Sequence, residues 1–306
     1  MTELVSKTNA QKVGQLALHA KVCPEIPEPP VHSYVFSGAR RTIIESSHTV
    51  EFYPVQYATD DSLLQNLVFA FKYEPLDLRI VIQTLKHVGS QELGDWISSQ
   101  PTGAYTRRAW FLYEKFIGRL ELPDASAGNY VDALDSEKHY VAEPINSKRH
   151  RVRDNLLGSS KLCPVLRRTD KLRAAEAWNL AEQTAQIARR YNTDTIVRAI
   201  NYLYTKETRS SYAIEGERPS PERESRFLAA LRQANQFFPA DKAKLLKLQG
   251  TIVDPRYAAT DWRDIQNFVG ETTRGFGEFV HFVCPKPEDV PDLMQGWFEL
   301  SSRLLE

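Results

Sequence analysis

Apolar residues recur every three or four positions through most of this chain, which is the spacing of one face of an α-helix. The clearest of these stripes lie in residues 63–71, 78–85 and 290–305, and glycine or proline separates them. Alternation of apolar and polar residues, which is typical of exposed strands, is confined to short stretches such as residues 42–45 and 50–53. The pattern predicts a mainly α protein with few, short strands.

The composition fits a soluble globular protein that is long enough for two domains. Its 306 residues are 42 % hydrophobic and 25 % charged, and 39 basic residues balance 39 acidic ones. Zero net charge provides no general attraction to nucleic acid or to a membrane surface. No apolar run approaches the roughly 20 residues of a membrane span, and the first residues lack the apolar core of a signal peptide. Cys23, Cys163 and Cys284 match no metal-binding spacing and indicate reduced thiols, so we expect a cytoplasmic protein.

A loop-rich stretch predicts a domain boundary near Thr169. The first part, residues 1–169, is expected to be of mixed character and mostly helical. Its first 30 or so residues close on four prolines, which predicts a linker or an extended arm there. The second part, residues 170–306, begins with a helical stretch at residues 170–191 whose broad apolar face we expect to be buried. The later predicted elements are a helix at residues 222–238, a short helical or turn segment at 262–270, a hairpin at 275–283 and a helix at 290–305.

One helix in the second part ends on an acid. Residues 194–216 have the pattern of a single helix that Gly216 ends. Glu215 lies in its last turn, against the negative end of the helix dipole, and Ser211 lies four residues earlier on the same face. The acid is either a solvated side chain before a helix stop or a functional group that breaks a local rule.

Two arginine-rich features allow a nucleic-acid interpretation. Arg107 and Arg108 lie among aromatic residues in a predicted helix that follows a short helix and a turn, as in a DNA-reading helix-turn-helix. Residues 148–153 form a basic run that could contact phosphates. In the alternative interpretation the aromatic residues form core, and the arginines pair with acids or with backbone carbonyl groups. Common catalytic and nucleotide-binding motifs such as the P-loop, HExxH and GxSxG do not occur, and no metal site is predicted.

The second half resembles the front part of a Fic-family protein, of the class that carries its inhibitory motif ahead of the catalytic core. Ser211-Tyr212-Ala213-Ile214-Glu215-Gly216 fits that family's inhibitory motif, (S/T)xxxE(G/N). Residues 262–270 are similar to the segment ahead of the family's flap, and residues 279–283, with the prolines and helix that follow, resemble its target-positioning hairpin. Residues 1 to about 170 are similar to the region before some bacterial Fic modules, notably at GAYTRRAWFLYE and GNYVDALD.

The resemblance implies a helical Fic-like half-domain with an inhibitory helix at about residues 194–216 and a β-hairpin flap at about residues 275–284. It implies that Glu215 occupies the space of the ATP γ-phosphate and pairs with an arginine of the catalytic loop, while Ser211 hydrogen-bonds to the same loop and Gly216 completes the motif. In the hairpin it implies target-positioning roles for Phe279, Val280 and His281. The family's reaction moves AMP from ATP, with Mg²⁺, to a hydroxyl of a target protein.

The catalytic loop of that family, HxFx(D/E)GN(G/K)RxxR, does not occur in these 306 residues. We therefore expect a truncated polypeptide that is inactive by itself and binds ATP and Mg²⁺ poorly. Two other hypotheses stay open: an antitoxin-like interaction protein that supplies Glu215 to a separate Fic core, and a DNA-binding regulator. The partner expected for the full-length protein is a target protein hydroxyl, a homo-oligomer is allowed, and membrane and nucleic acid are not expected.

Overall fold

The computed structural model describes residues 10–214, 216, 218–238, 241–272 and 278–305. The chain divides into two compact units, one that ends at Arg168 and one that begins at Thr169. We call them the first unit and the second unit. About 50 % of the residues are helical and about 14 % are in strands, so the protein is mostly helical with a smaller β part.

The first unit combines a small sheet with a group of helices. The sheet has the order β1-β2-β4-β3, in which β2 and β4 are parallel and the other neighbours are antiparallel. Its strands are β1 (Gln11–Val13), β2 (Val31–Phe36), β3 (Arg41–Ile44) and β4 (Thr49–Pro54). The helices are α1 (Gly14–Val22), α2 (Leu63–Tyr73), α3 (Leu78–Ser99) and α4 (Ala104–Phe116).

Short strands follow α4 in the stretch that the sequence predicted to be loop-rich. They pair in two groups, β5-β8-β7 and β6-β9. Their bounds are β5 (Val131–Asp132), β6 (His139–Tyr140), β7 (Ile145–Ser147), β8 (Val152–Asp154) and β9 (Leu166–Arg167). The core of the unit packs α1 to α4 against these strands through fully buried side chains that include Leu18, Leu67, Leu85, Leu112 and Leu134.

The prediction of an extended arm was wrong for residues 14–22, which form α1. Leu16 and Leu18 of this helix are fully buried, and the helix ends at Val22, just before the first of the four prolines. The prolines therefore mark only the segment that follows the helix. Farther along, Gly89 (φ 78°, ψ 172°) interrupts α3, which confirms the predicted break between two helical stretches.

The second unit contains helices on both sides of a β-hairpin in chain order. The hairpin pairs β10 (Phe268–Thr272) with β11 (Glu278–Val283), and residues 273–277 lie outside the described residues. The helices are α5 (Asp170–Glu176), α6 (Leu180–Ala188), α7 (Thr193–Ile214), α8 (Pro221–Arg232), α9 (Lys242–Ile252) and α10 (Val290–Leu305).

Some predicted elements of the second unit agree with the structure and others do not. The bounds predicted for the last helix are those of α10, and β11 lies within the predicted hairpin. The predicted helix at residues 170–191 is instead two helices, because Asn179 begins a new one by capping α6. The segment at residues 262–270, predicted as a short helix or a turn, contains no helix and runs into β10, and α9 was not predicted.

The second unit buries few side chains. Among the residues described from Thr169 onward, only Thr208, Tyr212 and Gly296 are buried. The broad face of residues 170–191 that we expected to be buried is exposed, with Trp178 at 64 %. That prediction was wrong because periodic spacing shows that a helix has an apolar side, and not that a neighbour covers it. Within the described ranges, no helix is both long and apolar enough to cross a membrane.

Candidate functional site

The predicted site begins at the end of α7, which one tyrosine anchors to α8 and α9. The Tyr212 side chain is 5 % exposed, and its hydroxyl donates a 3.2 Å hydrogen bond to the backbone carbonyl of Ile252, at the end of α9. The Tyr212 ring lies 5.4 Å from the Phe227 ring of α8. The guanidinium of Arg223 lies 4.8 Å from the centre of the Tyr212 ring and donates to the same Ile252 carbonyl. These contacts fix one face of α7 against its neighbours.

Polar contacts continue along the same side of α7. Thr208, one turn before Tyr212, is fully buried, and its hydroxyl donates to the carbonyl of Tyr204 at 2.8 Å. Arg209 pairs with Glu224 of α8 at 2.9 Å. This last pair is largely solvent-exposed on the arginine side, so it contributes at most about 1 kcal/mol. The buried tyrosine and threonine therefore determine which way α7 faces.

Ser211 lies on a different side of α7 from this anchor. Adjacent helical residues are rotated by roughly 100° about the axis, and Ser211 is exposed while Tyr212 is buried. The Ser211 hydroxyl donates a 2.9 Å hydrogen bond to the carbonyl of Glu207, within its own helix. Gly216 has φ 68°, the left-handed conformation that commonly ends helices. Glu215, the predicted inhibitory acid, lies outside the described residues.

The hairpin brings together two of its three predicted target-positioning residues. Phe279 and His281 both lie on β11, and their rings meet edge to face with centres 4.9 Å apart. Val280 lies between them in the strand, opposite Gly270 of β10. The His281 imidazole Nε2 is 3.7 Å from the carboxylate of Glu271 on β10. All three predicted side chains are exposed.

At the base of the hairpin, side chains of the segment before it donate hydrogen bonds to backbone carbonyl groups of the segment after it. The Gln266 amide donates to the Cys284 carbonyl at 2.8 Å, and the Arg263 guanidinium donates to the Pro285 carbonyl. β10 and β11 are antiparallel with a shift of register between Val269 and Gly270. In the part of the chain that the structure describes, β11 pairs with β10 alone, so its other edge has unpaired backbone groups.

The arginines that suggested a nucleic-acid interface point into the first unit. Arg107 is 2 % exposed and donates to the carbonyls of Gly103, Asn129 and Arg151. Arg108 donates to the carbonyls of Asp132 and Phe71, and burial lowers the pKa of both guanidinium groups. This agrees with the alternative interpretation of the sequence, in which the arginines form hydrogen bonds with backbone carbonyl groups.

The basic run at residues 148–153 is also engaged within the unit. Arg149 holds Glu114 with two hydrogen bonds of 2.8 Å, and it contacts Asp124 at 2.8 Å. His150 lies 2.9 Å from the same Glu114 carboxylate. Burial opposes the charge on Glu114, but the hydrogen bonds from Arg149 and Trp110 outweigh it and lower the pKa of Glu114 to about 2. This part of the run stabilises the fold.

One buried carboxylate of the first unit, that of Glu74, was not among the residues predicted from the sequence. Glu74, directly after α2, accepts hydrogen bonds from the Ser33 hydroxyl at 2.5 Å and from the Gln15 backbone N–H at 2.8 Å. Burial raises the pKa of Glu74 to about 7, against the opposing effect of these hydrogen bonds. Gly14 lies so close that a Cβ there would overlap the carboxylate. The available signal was an acid at the carboxyl end of an apolar helix, the same feature that singled out Glu215.

The second unit thus presents two exposed features, the Ser211 side of α7 and the outer edge of β11. Among the residues that the structure describes, no group of three His, Cys, Asp or Glu side chains is placed to hold a metal ion. No family model matches the chain, and comparisons with curated proteins and with solved structures gave no match.

Proposed function

We propose that the second unit is the regulatory and target-positioning part of a Fic-type AMP-transferase. It acts together with a helical core that carries the HxFx(D/E)GN(G/K)RxxR loop, supplied by further residues of the same polypeptide or by another chain. ATP and Mg²⁺ bind to that core. The enzyme moves AMP to a hydroxyl of a target protein and releases pyrophosphate, and Glu215 restricts the space for the γ-phosphate.

The main support is an apolar stripe on α7 that continues into the predicted inhibitory motif. Ile196, Ile200 and Leu203 are followed at helical spacing by Glu207, Ser211 and Ile214, so one side of the helix carries all six. Ile200, Leu203 and Ile214 are between 43 % and 82 % exposed. Several exposed apolar side chains on one side of a helix are typical of protein contact surfaces. A partner that covers the stripe would therefore also contact the polar side chain of Ser211.

The anchoring of α7 supports the same proposal. Tyr212 binds one face of the helix to α8 and α9, and the stripe lies on a different side of the helix. Glu215 comes four residues after Ser211 in the sequence. In this proposal its carboxylate accepts a charge-assisted hydrogen bond from an arginine of the core, a contact worth roughly 1.5–3 kcal/mol when shielded.

The hairpin supports a role in holding a target segment. The outer edge of β11 can accept an extended peptide as an added strand, with backbone hydrogen bonds that do not depend on the target's sequence. The exposed side chains of Phe279, Val280 and His281 would contact side chains of that peptide. Such an arrangement presents a serine, threonine or tyrosine hydroxyl at a constant position.

The proposal predicts that Glu215→Gly raises AMP transfer in an enzyme that joins this chain to a Fic catalytic core. The variant frees the γ-phosphate space and releases the arginine, so we expect an increase of about 10-fold or more. The measurement is transfer of label from α-labelled ATP to protein, with the core either joined in cis or mixed as a separate chain.

The matched control is Glu217→Gly, which removes the same charge two residues later and should leave the rate unchanged. Equal rates for the parent and the Glu215→Gly variant would contradict an inhibitory role for Glu215. Inhibition by the separately added chain, lost in the Glu215→Gly variant, would favour the antitoxin-like hypothesis.

A further inference from the structure

The first unit contains a cavity of about 330 Å³ at the start of α3 that has no part in the proposed AMP transfer. Leu76, Leu78 and Val165 contribute apolar wall, and Asp77, Arg79 and Arg167 contribute charge. Small-molecule sites in proteins range from about 300 to 1,000 Å³ and combine apolar walls with a few polar groups. The size and lining of this cavity match that description.

Asp77 and Arg79 form an ion pair with two hydrogen bonds. The Arg79 Nε donates to one Asp77 oxygen at 3.0 Å and its Nη2 donates to the other at 2.6 Å. The first oxygen also accepts the backbone N–H of Arg79, as the cap of α3. Both carboxylate oxygens of Asp77 are therefore occupied, and neither forms an ion pair with the second arginine of the cavity.

Arg167 has no such partner. Among the described residues, nothing forms a hydrogen bond or an ion pair with its guanidinium, although the side chain is half-buried. Burial lowers the pKa of Arg167, and the charge of Asp77 opposes the shift only in part. Withdrawing a cation from water without a counter-ion is unfavourable. An anion bound in the cavity would offset that cost.

We propose that this cavity binds a small organic anion with an aliphatic body. Its carboxylate or phosphate headgroup lies against Arg167, whose planar guanidinium can donate two parallel hydrogen bonds to either group. The aliphatic body packs on Leu76, Leu78 and Val165. Two guanidinium groups and one carboxylate give the wall a net positive charge, which favours an anionic headgroup.

Isothermal titration of the complete chain tests the site with three probes: isocaproate, the neutral isocaproamide of the same shape, and isopentyl phosphate. We expect saturable binding of at least one of the two anions and binding at least about 10-fold weaker for the amide. Arg167→Gln should weaken anion binding by about 10-fold or more, to the level of the amide. Arg167→Lys, which keeps the charge, should retain part of the affinity.

Arg119→Gln is the matched control, since it removes one exposed arginine of the same unit outside the cavity, and it should leave binding unchanged. Equal binding of isocaproamide and the anions, or unchanged anion binding in Arg167→Gln, would overturn the proposal. So would the absence of binding by either anion up to ~10 mM. If Arg167→Gln does not fold, Val165→Phe fills the cavity instead: loss of anion binding supports the site, and unchanged binding overturns it.

Discussion

Two glutamates of the first unit show how strongly neighbours change the same side chain. Burial raises the pKa of Glu74 to about 7, because the neutral groups around it do not compensate its charge fully. Burial also disfavours the charge of Glu114, yet the Arg149 guanidinium and the Trp110 N–H lower the pKa of Glu114 to about 2. An oppositely charged partner with two hydrogen bonds accounts for the difference.

Glu74 is predicted to make the first unit less stable as the pH rises. Its pKa in the fold lies above the ordinary value of 4.5, so its favourable contribution is complete below about pH 4.5 and is lost as the pH rises through about 7. The loss is on the order of 3 kcal/mol. The measurement is amide hydrogen exchange of α1 and α2 across this range. In Glu74→Gln, which cannot ionise, the pH dependence should disappear.

Glu114→Gln provides a control with the opposite sign. The pKa of Glu114 is lowered by folding, so its stabilising contribution is present above about pH 4.5 and is lost as the pH falls toward about 2. The parent should therefore be more stable than this variant above about pH 4.5, and the difference should shrink as the pH falls toward about 2. A Glu74→Gln variant that keeps the parent's slope between about pH 4.5 and 7 would show that Glu74 is not its source.

At the scale of single elements, α7 illustrates how two neighbouring residues take different roles. Tyr212 packs inward on Phe227 and Arg223, whereas Ser211 is exposed and bonds only within the helix. Stability therefore depends on one residue of the motif, and the proposed regulatory contact on another. The two can be separated by substitution.

We predict that Tyr212→Ala loosens the end of α7, while Ser211→Ala does not. Loss of a buried aromatic ring costs about 3–5 kcal/mol, and removal of an exposed hydroxyl costs little. Tyr212→Phe should cost only about 1 kcal/mol, because Arg223 still donates to the Ile252 carbonyl. Hydrogen exchange of α7 and α8 amides measures these differences. Similar effects of Ser211→Ala and Tyr212→Ala would contradict the assigned faces.

Elements with strong periodicity were predictable, and elements without it were not. The amphipathic last helix was found with its predicted bounds. α1 was missed because residues 14–19 are all buried, polar Gln15 and His19 included, so polar positions do not mark an exposed side. β10 was missed because its partner strand lies beyond residues 273–277, and strand pairing is not visible in a local pattern.

At the scale of the whole molecule, the two units differ in how much apolar surface they bury. The first has an extensive core around α1 to α4, while the second leaves large apolar side chains exposed on α6, α7 and the hairpin. Burying a leucine or isoleucine contributes about 1.5–3 kcal/mol. The second unit therefore gains the most from contact with another protein surface.

Leu203→Lys is predicted to weaken binding to a Fic core by about 10-fold or more, because it places a charge in the apolar stripe. The fold of the chain should not change, since Leu203 is already 53 % exposed. Tyr202→Lys is the control, an exposed aromatic residue on another side of α7. Titration of the core with each variant gives the affinities. Equal weakening by both substitutions would count against the stripe as the contact surface.

The sequence by itself determined that this chain is mostly helical, where glycine and proline interrupt it, and that Ser211 stands near the end of one long helix with Gly216 just beyond it. These are local properties, set by spacing within a few turns. Only the tertiary structure decided which apolar faces are covered, where the arginines point and why the pKa of Glu74 is raised. Those outcomes depend on residues far apart in the chain, such as Gln15 and Glu74, whose contact no local pattern contains.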